Sequence, residues 1–317
     1  MRRSFPTSRS LGYIAFDRRM RTPDFFIAGA PKCGTTAMHR YLNQHPEIFM
    51  SEKELHFFGS DLVFTSARLQ REDYLHHFLS AGAEKRIGEA AVWYLYSQRA
   101  AAEIKEFCPS ARIVIMLRNP VDAMYSLYCQ RVYNGNENLK SFEMALAAEY
   151  NRKRGTSLPP NPANLMGCFY RDAVKFTRQV QRYFVNFGRE NVHIIIFDDL
   201  EKDVAGVYQR CCEFLGVDHR FKPDFPVVNA RPRARSAFVR DFLHHPPRSL
   251  HWLAPALMLR RNRHGGYKGW LKRLNTSHTK IPSLQAQLRR KLQEEFRPEV
   301  HQLSNLLGRD LTYWSNR

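Results

Sequence analysis

The residues best suited to do chemistry begin between positions 24 and 38, where the chain reads Asp-Phe-Phe-Ile-Ala-Gly-Ala-Pro-Lys-Cys-Gly-Thr-Thr-Ala-Met. A short apolar run at 25–28 stops at Gly29, and a helical pattern starts at Thr35 and Thr36. A strand, a glycine turn and a helix N-terminus aim unpaired backbone N–H groups and the positive end of the helix dipole at one spot, which suits an anion such as phosphate. Gly29 and Gly34 have the spacing of the nucleotide-triphosphate loop G-x-x-x-x-G-K-[ST], but Thr35 stands where that pattern needs lysine. The lysine of this stretch is Lys32, inside the loop, where its ammonium can reach an oxygen bridging two groups of a bound nucleotide.

The elements around this loop follow from hydrophobic patterning. Residues 25–28 are too few for a helix and fit a buried strand, and the helix after the loop is predicted over 35–44, ending near His45-Pro46. Residues 61–83 read as irregular helix and loop, 86–90 as a short strand, and 97–107 as an alanine-rich helix. The clearest buried strand is 112–117, which ends in Arg118-Asn119-Pro120 before a helix carrying Met124, Leu127 and Tyr128 on one face. After a proline-rich loop at 155–163 the pattern predicts a long helix over about 167–187, a strand over 192–197 and a helix over 204–215. Strands alternating with helices predict an α/β fold: a P-loop-like parallel sheet flanked by helices, with ligands at the strand C-terminal ends. A basic arm at 1–22 followed by a single domain over 23–317 is the expected organisation, with a mostly helical tail interrupted at Pro255, Gly265-Gly266 and Pro282.

Bulk composition narrows the function classes. With 317 residues and 44% hydrophobic content the chain can bury a substantial core. No stretch approaches the roughly 18 apolar residues of a membrane span, and no apolar region follows the basic N-terminus, so a cytoplasmic protein is expected. Six cysteines show neither C-x-x-C pairs nor a metal-like grouping with histidine, which predicts reduced thiols and no metal. The formal charge is +19, and residues 231–317 hold 18 Lys/Arg against 5 Asp/Glu. That excess implies an anionic partner, whether nucleic acid, membrane surface or a multiply charged small molecule.

Three stretches in order bring out a family resemblance: Pro31-Lys32-Cys33-Gly34-Thr35-Thr36, then Lys53-Glu54-Leu55-His56-Phe57-Phe58, then Leu117-Arg118-Asn119-Pro120 with Ser126 eight residues after the arginine. The ending Leu307-Gly308-Arg309-Asp310-Leu311 with Trp314 adds a weaker fourth. The chain resembles sulfotransferases that use 3′-phosphoadenosine 5′-phosphosulfate (PAPS), most closely the heparan-sulfate-type and related bacterial branch. The resemblance implies that Lys32, Cys33, Gly34, Thr35 and Thr36 hold the 5′-phosphosulfate, with Lys32 neutralising charge on the bridging oxygen as the sulfuryl group departs. It implies that Arg118 and Ser126 read the 3′-phosphate, a role to which arginine's fork is suited. It also implies that Glu54 is the general base toward a hydroxyl or amine of a glycan, lipid or small metabolite, with His56 as its partner or the alternative base.

The chain departs from the heparan-sulfate pattern where a Glu-Lys-Thr-Pro-type stretch becomes Glu89-Ala90-Ala91-Val92-Trp93-Tyr94, losing a lysine near the active site. That loss argues against a heparan-type acceptor unless another basic side chain substitutes. The lysine-glycine loop before the last helix likewise becomes 275–280, with Lys280 as a candidate donor contact, while Arg231, Arg233 and Arg235 read first as a solvated charge run and second as a basic lid over the donor or acceptor. The stretch 250–263 reads first as a helix packed on the sheet and second as a weak membrane-surface contact. A P-loop kinase or NTPase is the rival reading, but it wants a lysine after Gly34 and an aspartate for Mg²⁺ where the strand 113–117 instead ends in arginine. A basic nucleic-acid-binding protein rests on charge alone, without a recognised module, so no specific nucleic-acid partner is expected.

Overall fold

In the computed structural model, β1 (Phe25–Gly29), β2 (Ile48–Met50), β3 (Arg86–Ala90), β4 (Arg112–Leu117) and β5 (Val192–Ile196) form one parallel sheet in the order β2-β3-β1-β4-β5. The structure describes residues 21–160, 163–226 and 284–316, together with the antiparallel backbone pair β6 (Arg233–Ala234) and β7 (Thr276–Ser277). All five residues of β1 are buried, which is why this strand reads as an unbroken apolar run: helices cover both faces of a parallel sheet. The chain leaves β1 for the edge strand β2, returns to β3 beside β1 and then crosses to β4 on the other side of β1. The carboxyl ends of β1 and β4 therefore open a crevice of the kind in which α/β sheets bind ligands.

The helices are α1 (Thr35–Leu42), α2 (Arg71–His76), α3 (Ala100–Phe107), α4 (Pro120–Tyr133), α5 (Phe142–Lys153), α6 (Tyr170–Ala173), α7 (Phe176–Phe187), α8 (Phe197–Lys202), α9 (Val204–Leu215) and α10 (Ala286–Leu307). The expected long helix over 167–187 is broken into a 3₁₀ turn (Met166–Cys168), α6 and α7. Tertiary capping causes the break: the Thr177 N–H and hydroxyl both donate to the Glu299 carboxylate of α10, at 2.7 and 2.8 Å, which starts α7 afresh. Helix α5 and strand β2 were not expected. Ser141 caps α5 by accepting from the Met144 N–H at 3.2 Å, a serine N-cap signal of a familiar kind. With three residues, β2 is too short to show a period.

The C-terminal motif is structural glue for the crevice. Trp314 is buried and donates its indole N–H to Asp198 at 2.6 Å, while its carbonyl accepts from the Asn119 side chain at 2.9 Å. Asn119 in turn caps α4 by accepting from the Val121 N–H at 3.0 Å, with Pro120 at the first helical position. One tryptophan thus ties the end of the chain to the turn that carries Arg118. Residues 1–20 of the expected basic arm at 1–22, Lys280, Arg231, Arg235, the Arg233 side chain and the stretch 250–263 lie outside the described residues.

Candidate active site

The loop between β1 and α1 owes its shape to two glycines. Gly29 has φ +151°, and a Cβ there would sit 2.7 Å from both Leu95 Cβ and the Val92 carbonyl. Gly34 caps α1 with φ +91°, where a Cβ would approach Phe197 to 3.0 Å. Between them Lys32 itself has φ +67°, a left-handed conformation that costs an L-residue roughly 1–2 kcal/mol, and His56 repeats this at φ +52°. Strain of this kind gathers where a site demands a particular direction of the chain. Thr35 and Thr36 open α1, and their amides have no partner inside the helix, whereas those of Ala37 and Met38 donate to the Gly34 carbonyl at 3.0 and 3.2 Å. Cys33 is the exception among the expected donor-loop residues. Its side chain is buried, with burial pushing the thiol up to about 12 against the charges of Arg118 and Lys32, and its N–H already donates to the Ala30 carbonyl at 3.3 Å. Its side chain does not line the cleft.

Arg118 leaves the end of β4, next to β1 in the sheet, so its side chain emerges about one strand spacing of ~4.8 Å from the donor loop. One Nη1–H donates to the Lys32 carbonyl at 3.4 Å, and the guanidinium lies 4.5 Å from the centre of the Phe197 ring. Asp122, the nearby carboxylate on α4, accepts from Arg289 at 2.8 Å. Ser126, two turns into α4 and buried, lines the same cleft as Lys32, Gly34, Thr35, Thr36 and Arg118. The cleft encloses about 820 Å³.

The loop after β2 brings the third motif to this cleft. Lys53 donates from Nζ to the Thr35 hydroxyl at 2.8 Å and the Thr36 hydroxyl at 3.2 Å, and the same ammonium lies 3.6 Å from the Glu54 carboxylate. His56 Nε2 lies 3.1 Å from the other Glu54 oxygen, and its ring stacks on Phe64 at 4.2 Å. Burial works to raise the Glu54 pKa, but the His56 hydrogen bond and the Lys53 charge outweigh it and hold the carboxyl below its ordinary value. Burial lowers the Lys53 pKa despite the pull of Glu54. The carboxylate is therefore ionised at neutral pH and able to accept a proton. A second cavity of about 550 Å³, walled by Leu55, Leu62, Val63 and Leu69, shares Lys53, Glu54, His56 and Phe64 with the first, so the Glu54 carboxylate sits at the junction of the two.

Sequence reasoning brought Lys32, Gly34, Thr35, Thr36, Glu54, His56, Arg118 and Ser126 to one place but assigned nothing to Lys53, Phe197 or Glu89. For Lys53 a signal existed: the missing lysine at Ala90 calls for a cation from another loop, and Lys53 is in the motif already quoted. Phe197 had none, because its contact with Arg118 depends on how β5 meets α8. Glu89 is fully buried, and its desolvation pushes the carboxyl from 4.5 to about 7 against the hydrogen bonds of Tyr74 and Tyr94. Folded protein thus keeps a proton that the unfolded chain releases, so this group's stabilising contribution is full below about pH 4.5 and lost as pH rises toward and through about 7. Midpoints of denaturant unfolding across pH 4 to 8, compared between the wild type and Glu89→Gln, are expected to show that slope in the wild type and its absence in the variant.

A parallel sheet with a glycine turn opening a helix, an arginine beside it and an ionised carboxylate in one cleft is an arrangement suited to group transfer from an anionic donor. The chain belongs to the sulfotransferase family, whose sequence profile matches residues 23–222; PAPS is the general donor of that family, and its members are transferases. The fold matches the crystal structure of a sulfotransferase from Alicyclobacillus acidocaldarius with a TM-score of 0.70 and 31% identity, covering 94% of this chain and 100% of that one. Human bifunctional heparan sulfate N-deacetylase/N-sulfotransferase 3 is 26% identical over 204 residues, 62% of this chain and 22% of that protein. Membrane-associated sulfotransferase kil1 of Dictyostelium discoideum is 30% identical over 107 residues, 33% of this chain and 22% of that protein. The chain spans about a fifth to a quarter of the length of such curated relatives. Among the described residues no helix is long and apolar enough to cross a membrane.

Proposed function

We propose that this chain transfers a sulfuryl group from PAPS to a hydroxyl or amine of a glycan, lipid or small-molecule acceptor and releases adenosine 3′,5′-bisphosphate. The observation that carries this reading is Lys53, whose ammonium joins the Thr35 and Thr36 hydroxyls of the donor loop to the Glu54 carboxylate. Donor loop and base thus belong to one polar cluster at the mouth of two cavities. In this reading the larger cleft takes the nucleotide and the acceptor reaches Glu54 from the smaller one. The acceptor loses its proton to Glu54 as its oxygen or nitrogen bonds to sulfur. The bond from sulfur to the bridging oxygen breaks, and its electron pair leaves on the 5′-phosphate, where Lys32 meets the growing charge. Lys53 supplies the second cation at this point, in place of the lysine missing at Ala90. No metal is required by these steps. A cytoplasmic, reducing location is supported by six free cysteines, of which Cys33, Cys168, Cys211 and Cys212 are buried.

The test is incubation with PAPS and a panel of glycans, lipids and small alcohols, with mass detection of an added sulfuryl group and ATP with Mg²⁺ as the control. Turnover of ATP without sulfuryl transfer would favour the kinase or NTPase reading. For the donor site itself, calorimetry is expected to show micromolar-range binding of adenosine 3′,5′-bisphosphate and clearly weaker binding of AMP, because Arg118 and Ser126 form a second charge-assisted anchor. Arg118→Ala should bring the two affinities together. Equal affinity in the wild type would mean that this pair does not read the 3′-phosphate.

A further inference from the structure

The loop that carries Glu54 is held from beneath by three buried side chains. Glu89 is the last residue but one of β3, Tyr94 lies in the turn that follows, and Tyr74 belongs to α2; all three are fully buried. The Tyr94 hydroxyl donates to one Glu89 oxygen at 2.5 Å and the Tyr74 hydroxyl donates to the other at 2.6 Å. The Tyr94 oxygen in turn accepts the backbone N–H groups of Phe57 at 2.9 Å and Phe58 at 3.3 Å, one and two residues past His56. The Tyr74 ring stacks on Phe57 with centroids 4.0 Å apart and planes within 11°. Tyr94 is itself fixed from the far side, because its carbonyl accepts from the Tyr183 hydroxyl at 2.9 Å.

We infer that Glu89, Tyr94 and Tyr74 form a brace that sets the height and direction of the 53–58 loop, and are positioning residues for Glu54 and His56. The geometry gives the reason. A phenol oxygen that gives its hydrogen to a carboxyl oxygen has only lone pairs left, and two backbone amides fill them, so the loop backbone is tied to the sheet through one atom. The Glu89 carboxyl group is what turns Tyr94 toward the loop as an acceptor, because the tyrosine hydrogen has somewhere better to go. Burying an ionisable group without a cation is costly. A hydrophobic residue at position 89 would pack the same space at less cost, but it would leave the phenol hydrogens unpaired and the loop untied. Farther along, Glu103 holds the next turn by accepting from the Gly59 N–H at 2.6 Å and the Ser60 N–H at 3.0 Å. The loop is therefore pinned on its C-terminal side by Tyr94 and Glu103 and on its N-terminal side by Lys53 at the donor loop.

This inference rests on Glu54 as the base of the proposed transfer, and the experiment separates the two. Tyr94→Phe removes one oxygen and keeps the ring. Its turnover number is expected to fall by about 10- to 100-fold, since a shift of about 1 Å in a reacting group costs up to about 10²-fold. Affinity for adenosine 3′,5′-bisphosphate should stay within about twofold, because Lys32, Arg118 and Ser126 lie on other elements and Lys53 is held to the Thr35 and Thr36 hydroxyls rather than by Tyr94. Tyr74→Phe leaves the Tyr94 bonds to the loop in place and should lose several-fold less. Independently of activity, hydrogen exchange of the Phe57 and Phe58 amides should be slow in the wild type and fast in Tyr94→Phe. Turnover of Tyr94→Phe within twofold of wild type, or wild-type amides at these positions that exchange as in an open loop, would overturn the brace. A Tyr94→Phe protein that fails to fold still leaves the wild-type exchange and the pair Glu89→Gln and Glu89→Leu to decide. The amide variant can still accept from Tyr94 and should keep most of the turnover that the leucine variant loses; equal turnover in the two would count against the brace. A wild type that moves no sulfuryl group but shows slow amides would sink the functional reading and leave the brace standing.

Discussion

Glu54→Gln is expected to lower turnover by roughly 10²- to 10⁴-fold while nucleotide binding survives, the range associated with loss of a positioned general base. Glutamine keeps the size and the hydrogen bond to His56 but cannot take a proton. The carboxyl is held below its ordinary value, so the wild-type group is ionised across the neutral range. The same contacts that hold it there make it a weak base in the resting site. Lys53 is shared between Glu54 and the two threonine hydroxyls, and an anionic donor against Thr35 and Thr36 competes for that ammonium. A carboxylate relieved of part of its cation becomes more basic, which would couple donor occupancy to the strength of the base. His56 is the control. Its Nε2 contacts Glu54, and its Nδ1 is buried with no hydrogen-bond partner among the described residues, a geometry that fits a residue orienting the carboxylate. His56→Ala should therefore reduce turnover less than Glu54→Gln. Steady-state rates at saturating PAPS decide the matter: abolition by His56→Ala with near-normal Glu54→Gln would move the base to the histidine.

How much of this site could be seen in the residues alone depends on how local each feature is. The strands β1 and β4 and the helix α9 were legible because buried parallel strands are short apolar runs and an amphipathic helix repeats at a fixed period. The donor loop was legible because glycines at 29 and 34 mark a turn that only a backbone free of Cβ can make. The brace was not legible. Glu89, Tyr94 and Tyr74 are brought together by the pairing of β3 with β1 and by the packing of α2, and nothing in their spacing records those contacts. The break between α6 and α7 was hidden for the same reason, since its cap is Glu299, 122 residues away along the chain. Lys53 lies between these cases. Its presence beside Glu54 is in the sequence, but its reach to Thr35 and Thr36 depends on the loop after β2 folding back over the start of α1.

Lys32→Ala is expected to cost on the order of 10²-fold or more in kcat with a smaller change in donor affinity, the size seen when one preorganised electrostatic donor is removed. The argument is one of timing. The bridging oxygen carries little charge in bound PAPS and gains it only as the bond to sulfur breaks, so a cation aimed at that oxygen acts mainly on the transition state. The backbone supports this aim, because Lys32 is held at φ +67° and its carbonyl is gripped by Arg118 at 3.4 Å. Lys32→Arg should rescue poorly, since a planar fork does not replace a point charge at a single oxygen. Lys53→Ala makes the informative comparison: it removes a cation that touches the threonine hydroxyls in the resting site, so it should raise the donor KM as well as lower kcat. Initial rates over a range of PAPS concentrations separate the two variants. A Lys32→Ala enzyme with unchanged kcat and a raised KM would make Lys32 a binding residue and leave Lys53 as the cation at the departing oxygen.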